Sequence, residues 1–267
     1  MNGVAILLAA VVVGIVGLAV GFLLVTAGEK FKVEVDEKEV KIREALPGNN
    51  CGGCGFPGCD GLAAAIAKGE APANQCPVGG ANVAAKISAI LGVEAVETEK
   101  MVAFVRCAGD CEAAKEKNLY YGIQDCRSAA VVPGRGSKKC SFGCMGLGSC
   151  VKACQFDAIH IVDGIAKVDR SKCVACGKCT TVCPNGLITL IPDKSVYVVN
   201  CSSQEKGKAV KEACSAGCLG CTACVKQCES GAITMNGNVA VIDQSKCTGC
   251  GKCAEKCPSK VIRMREL

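Results

Sequence analysis

Two stretches of the chain carry one ligand pattern, Cys173-x2-Cys176-x2-Cys179-x3-Cys183-Pro184 and Cys247-x2-Cys250-x2-Cys253-x3-Cys257-Pro258. The spacing is that of bacterial-type iron–sulfur ligation, in which three close thiolates hold one cluster and the fourth reaches a second. Two residues between cysteines let the thiolates converge from one tight loop, and proline after the fourth keeps the chain from continuing as a helix. The chemistry this predicts is electron transfer.

Each run needs partners. In the C-terminal region Cys218, Cys221, Cys224 and Cys257 form one expected set, and Cys228, Cys247, Cys250 and Cys253 the other, although Glu229 replaces the proline usual after the fourth cysteine. Cys154, Cys173, Cys176 and Cys179 form a third set by the same logic. Its partner run is broken, because Leu147 stands where the central ligand belongs. Cys140 is the expected substitute, giving the set Cys140, Cys144, Cys150 and Cys183, with a three-iron or missing cluster as the alternative. Near the N-terminus Cys51, Cys54, Cys59 and Cys76 bracket a glycine-rich loop and a helix, which suits a further 4Fe-4S cluster; the long last spacing also fits zinc. Cys107, Cys111, Cys126, Cys201 and Cys214 are left over. Cys107, Cys111 and Cys126 could supply a sixth cluster if Cys140 were diverted to them, or all could be small buried hydrophobes. His160 aligns with Thr234 of the other repeat and reads as a surface strand position.

The 25 cysteines in 267 residues argue against other readings of such a composition. The count is odd, and two residues between cysteines make a poor disulfide loop. All-thiolate zinc sites use two pairs across a longer spacer, whereas three or four cysteines crowd each run here. The formal charge of +6 counts cysteine as neutral. Five oxidised clusters with their thiolates, at about −2 each, would bring the chain to about −4. With no Trp and 3% aromatics, nucleic acid is not an expected partner.

The elements that must position these sites follow from periodicity and repetition. Residues 4–25 are apolar or glycine without a charge, about 33 Å of helix, and read as a bilayer anchor rather than a cleaved signal. Lys30, Lys32, Lys38, Lys41 and Arg43 follow it, which predicts the C-terminal bulk in the cytoplasm. Gly17 and Gly21 form a GxxxG, suited to helix packing or merely tolerated in lipid. From Met101 the chain repeats itself. VAFVRC ending at Cys107 resembles VYVVNC ending at Cys201, KKCSFGC resembles KEACSAGC, and the stretch from Cys150 to Cys183 matches that from Cys224 to Cys257 without a gap. Within each copy a strand pair joined by an Asp-Gly or Asn-Gly turn reads as a hairpin. The expected fold is α+β. Its order is a transmembrane anchor (1–27), a charged linker (28–46), a small helical 4Fe-4S domain (47–100), and two ferredoxin-like units (101–194, with an insertion, and 195–267).

An N-terminal anchor, then LPGNNCGGCGFPGC and CPVGG, then tandem ferredoxin units, resembles the B subunit of the Rnf complex over essentially the whole chain. GCMGLGSCVKAC and the second repeat are most similar to the clostridial-type long form. The resemblance implies a membrane-anchored subunit of an ion-translocating ferredoxin:NAD oxidoreductase, with five 4Fe-4S clusters expected, iron included at the N-terminal set. It implies reduced ferredoxin as electron donor and flavin-bearing membrane subunits as acceptors, in a complex that reduces NAD and moves Na+ or H+ across the cell membrane. The distal C-terminal unit is the expected meeting point with ferredoxin. No GxGxxG follows a strand, no Walker A run is present, and no charge lies in the span, so dinucleotide and ion sites are expected on other subunits. The CGGCGFPGC stretch also resembles a domain of corrinoid iron–sulfur proteins. The alternative is therefore an iron–sulfur subunit of a catalytic redox enzyme.

Overall fold

A computed structural model describes residues 3–30, 36–94 and 99–265. Lys32, within the expected linker, lies outside the described residues. The first element, α1 (Gly3–Lys30), runs 28 residues with no charge before its last turn and is long and apolar enough to cross a bilayer. A Cβ built at Gly17 or Gly21 meets nothing within 4 Å.

The next three helices make one small core. In α2 (Glu37–Ala45), Asp36 caps the first turn by accepting from Lys38 N. Most of this helix is charged, but Ile42 and Leu46 turn inward and are buried against Leu62, Ile66 and Ile87 of α3 (Cys59–Ala67) and α4 (Gly80–Leu91). Part of the expected linker thus belongs to this core. Arg43 of α2 donates to the Asp60 carboxylate of α3 and fastens the two helices. Gly92, left-handed at φ +71°, ends α4.

Two units with the same plan follow. The first contains β1 (Met101–Val105), α5 (Cys126–Val131), α6 (Ser149–Ala153), β2 (Ile159–Val162), β3 (Ile165–Val168), α7 (Lys178–Val182) and β4 (Ile188–Pro192). The second contains β5 (Tyr197–Val199), α8 (Lys208–Ala213), α9 (Ala223–Gln227), β6 (Ile233–Asn236), β7 (Val239–Ile242), α10 (Lys252–Glu255) and β8 (Ile262–Met264). In each, the outer strands pair antiparallel, Val105 opposite Ile188 and Val199 opposite Ile262, and the inner two form a hairpin. The β2–β3 turn is Asp163-Gly164 with both residues at positive φ, the type I′ geometry that matches strand twist. The β6–β7 turn is Gly237-Asn238 instead of the expected Asn-Gly, because Asn236 is still paired with Val239. His160 is exposed on β2 and touches Asp157 O. Each unit has its own core, Ile159, Ile165 and Leu187 in the first and Ile233, Val239 and Val261 in the second, with cysteines packed into both.

Candidate metal centres

The short helices are the positioning devices. Cys150 lies in α6 and Cys154 ends it; Cys179 lies in α7 and Cys183 ends it; Cys224 lies in α9 and Cys228 ends it. Cys253 of α10 is followed by Cys257 at the same spacing. Residues four apart share a helix face one turn apart, so each helix sends one thiol to each of two neighbouring sites. Every one of these helices starts after a left-handed residue, Gly148, Gly177, Thr222 or Gly251, which turns the ligand loop sharply into the helix.

The thiols gather around separate apolar cavities. Cys154, Cys173, Cys176 and Cys179 line one, and Cys218, Cys221, Cys224 and Cys257 line another. Cys253 faces Cys247 and Cys250, with Cys228 in the same core. In the helical domain Cys76 faces Cys54 and Cys59, while Cys51 faces Cys176 of the first unit.

Two cavities depart from expectation. Cys140 does not join Cys144, Cys150 and Cys183; Cys126 does, lining their cavity at the start of α5. The cause is the insertion, which folds back over the unit. Asp125 accepts from Ser128 N and from Ser149 Oγ, and that same hydroxyl accepts from Cys126 N at 2.7 Å. These hydrogen bonds hold the Asp125 carboxyl below the usual carboxylate range. Lys152 donates to Gln124 O and Arg135 to Asn185 Oδ1, tying the insertion down on both sides. Cys140 instead lines a cavity between the two units with Cys107, Cys201 and Cys214. Cys107, Cys111 and Cys126 are therefore not brought together, and Cys111 is exposed. The repeat held the signal for this. Cys107 matches Cys201 and Cys140 matches Cys214, so the leftover cysteines of the second unit indicate what their counterparts in the first do.

Backbone N–H groups point at many of these sulfurs. Ala103 N donates to Cys173 Sγ at 3.3 Å, Ala158 N to Cys154 Sγ at 3.4 Å, Leu187 N to Cys183 Sγ at 3.4 Å and Gly79 N to Cys76 Sγ at 3.4 Å. Burial pushes the Cys150 and Cys179 thiols up to about 12, and those of Cys214 and Cys224 up to about 11. Bound metal reverses that pressure, because a coordinating thiol is deprotonated. Among the described residues no three His, Cys, Asp or Glu side chains close on a point as a single ion requires. Four thiols standing around an apolar space, with amides aimed at their sulfurs, fit a cluster rather than a lone ion.

Such sites, spread over duplicated ferredoxin-type units behind an apolar helix, define an iron–sulfur electron-transfer protein. Residues 46–78 match the family described as "Putative Fe-S cluster", residues 165–188 a "4Fe-4S binding domain" and residues 217–261 a "4Fe-4S dicluster domain". The chain is 47% identical over 243 residues to the B subunit of the Na(+)-translocating ferredoxin:NAD(+) oxidoreductase complex of Acetobacterium woodii, covering 91% of this chain and 73% of that one. It is 44% identical to the B subunit of the ion-translocating oxidoreductase complex of Methanosarcina acetivorans, over 99% of this chain and all of the other (100%). With the proton-translocating counterpart of Clostridium ljungdahlii it shares 41% identity over 92% of this chain and 86% of that one. The chain belongs to this family, the B subunits of the Rnf-type ion-translocating oxidoreductase complexes.

Proposed function

We propose that this chain is the electron-entry relay of its complex. It would accept electrons from reduced ferredoxin and pass them to flavin-bearing membrane subunits that reduce NAD and move Na+ or H+. The observation that carries the reading is the row of cysteine-lined cavities, four thiols in each of four, that runs through both units and the junction between them. The Cys51 set adjoins the Cys154 set through Gly53, where a Cβ would stand 2.5 Å from Cys176 O. Helices α6 and α7 join the Cys154 set to the Cys126 set. Cys144 N, in the Cys126 set, donates to Cys107 Sγ at 3.3 Å; Cys218 N donates to Cys201 Sγ at 3.3 Å and leads into the second unit. Helices α9 and α10 lead on to the Cys228 set.

The six sets would be Cys51, Cys54, Cys59 and Cys76; Cys154, Cys173, Cys176 and Cys179; Cys126, Cys144, Cys150 and Cys183; Cys107, Cys140, Cys201 and Cys214; Cys218, Cys221, Cys224 and Cys257; and Cys228, Cys247, Cys250 and Cys253. When bound, 4Fe-4S clusters supply reversible one-electron chemistry. The protein's own part is to hold them in order, exclude water with Leu187, Ile188 and Val261, and set each site's polarity through the amides. Cys250 is exposed at the far end, which favours entry there. Exit lies at the helical domain that follows α1. The basic residues after α1 favour the cytoplasmic side for these domains. The division into an anchor, a helical cluster domain and two ferredoxin-like units is part of the same reading. A catalytic role would need an iron open to substrate, for which the missing ligand at Leu147 leaves room, whereas Cys126 lines that cavity with Cys144, Cys150 and Cys183 and would supply the fourth thiol.

Anaerobic mixing with reduced ferredoxin tests the proposal. Rapid loss of visible absorbance without product formation supports a carrier. In Cys201→Ser, entry at the far end predicts that rapid bleaching falls to about a third of the wild-type amplitude, two sets against the wild type's six. Substrate turnover by the isolated chain would overturn the carrier reading.

A further inference from the structure

The cavity between the units is nearly symmetric in its thiols and asymmetric in its charge. Cys107 Sγ accepts from Gly109 N at 3.4 Å and Cys144 N at 3.3 Å; Cys201 Sγ accepts from Ser203 N at 3.4 Å and Cys218 N at 3.3 Å. Lys138 breaks the match. Its half-buried side chain lines the cavity, and Nζ donates to Gly109 O and Gly164 O, each at 2.7 Å. It thereby straps the loop after Cys107 to the β2–β3 turn. The second unit makes the same strap with a neutral residue, Gln204, whose Oε1 accepts from Asn238 N and whose backbone O accepts from Asn238 Nδ2. The position matching Lys138 is Glu212, half exposed on α8 and paired with Lys139 and Lys208. Nearby carboxylates do not cancel the ammonium by pairing with it. Asp110 accepts from the Glu112 and Ala113 N–H groups, and Asp163 pairs with Lys167.

We propose that Lys138 sets the direction of electron flow between the two units. A fixed positive charge lining the cavity beside the Cys107 and Cys144 thiols, where the second unit contributes no charged lining residue and its Lys206, packed on Gly220, is exposed, raises the reduction potential on the first-unit side. One electron added to a site adds one negative charge, which the ammonium stabilises. No bond forms or breaks, and the electron moves on towards the Cys154 set. Burial raises the Cys107 and Cys144 thiols, and Lys138 is among the groups that pull both down, which agrees with a charge felt at both sites. This rests on the relay reading.

The test is a potentiometric titration of the full chain, followed by electron paramagnetic resonance, with dithionite as reductant and iron content measured on each sample. Lys138→Met and Lys138→Gln should move part of the reduction curve to more negative potential at unchanged iron, and Lys138→Arg should leave it in place. An unmoved curve in both neutral variants at full iron overturns the proposal. So does loss of iron in both neutral variants, which would make Lys138 a structural strap. Because dithionite replaces ferredoxin, failure of ferredoxin to reduce the wild-type protein would refute the relay reading and leave the potential shift standing as a separate result.

Discussion

Cys107 and Cys201 come from different repeats, yet they line the same cavity, and each accepts an N–H from the cysteine that opens its own unit's neighbouring site. Neither unit can complete this four-thiol set alone. Cys107 and Cys140 come from the first, Cys201 and Cys214 from the second. The duplicated units thus share a thiol-lined cavity at their junction, beside the thiol-lined cavities within each unit.

The exchange of Cys126 for Cys140 gives a decisive double substitution. Cys126→Ser and Cys140→Ser should each cost one cluster, about four iron, because they serve different cavities. The double variant should lose about eight iron. If iron analysis of the double variant shows a loss of only about four, the two cysteines share a site and the assignment fails.

Asp125 should behave as a support for the Cys126 set. Asp125→Ala removes the cap of α5 and frees Ser149 Oγ, so one cluster's signal should be lost selectively while the ferredoxin-type signals of the second unit persist. The carboxyl is held below its ordinary value, so its contribution is complete above about pH 4 and is lost as pH falls through the lowered value. Acid-induced iron release from wild type should therefore begin below about pH 4 at this site, and in Asp125→Ala that step should vanish. Iron release followed against pH in both proteins checks this.

What could be read from the sequence was local. Cys173, Cys176 and Cys179 converge from one loop, and the spacing alone specifies the loop. The hairpin at Asp163-Gly164 is an equally local signal. The partner of Cys144 was not, because it depends on an insertion folding back through Asp125 and Ser149, residues that carry no ligand signature. Ile42 was hidden for a related reason. It sits among Glu37, Lys38, Glu39, Lys41 and Arg43, so the segment reads as a solvated linker until α3 and α4 cover its one apolar face.

Gly53 should be the joint between the helical domain and the first unit. A Cβ there would stand 2.5 Å from Cys176 O and 3.0 Å from Cys176 Cα, backbone that cannot swing away as a side chain can. Gly53→Ala should weaken the docking by about 1–3 kcal/mol and slow electron arrival at the Cys51 set without changing iron content. Limited proteolysis between the domains and freeze-quench resonance of the N-terminal signal report the two effects. Unchanged kinetics would remove Gly53 from the relay.

Thr222 occupies a left-handed conformation, φ +60°, where Gly148, Gly177 and Gly251 stand at the other helix starts. A β-branched residue is strained there, so Thr222→Gly should stabilise the iron-loaded protein by about 0.5–1 kcal/mol. The urea midpoint for cluster loss should rise; a fall would mean that the threonine side chain contributes more than its backbone costs.

The most direct test of the central account is iron and acid-labile sulfide per chain on anaerobically purified protein, wild type beside Cys201→Ser. Six sets of four thiols predict about 24 iron and about 24 sulfide in the wild type and about 20 of each in the variant. About 20 in both proteins would contradict the site between the units and, with it, the unbroken line of electron transfer.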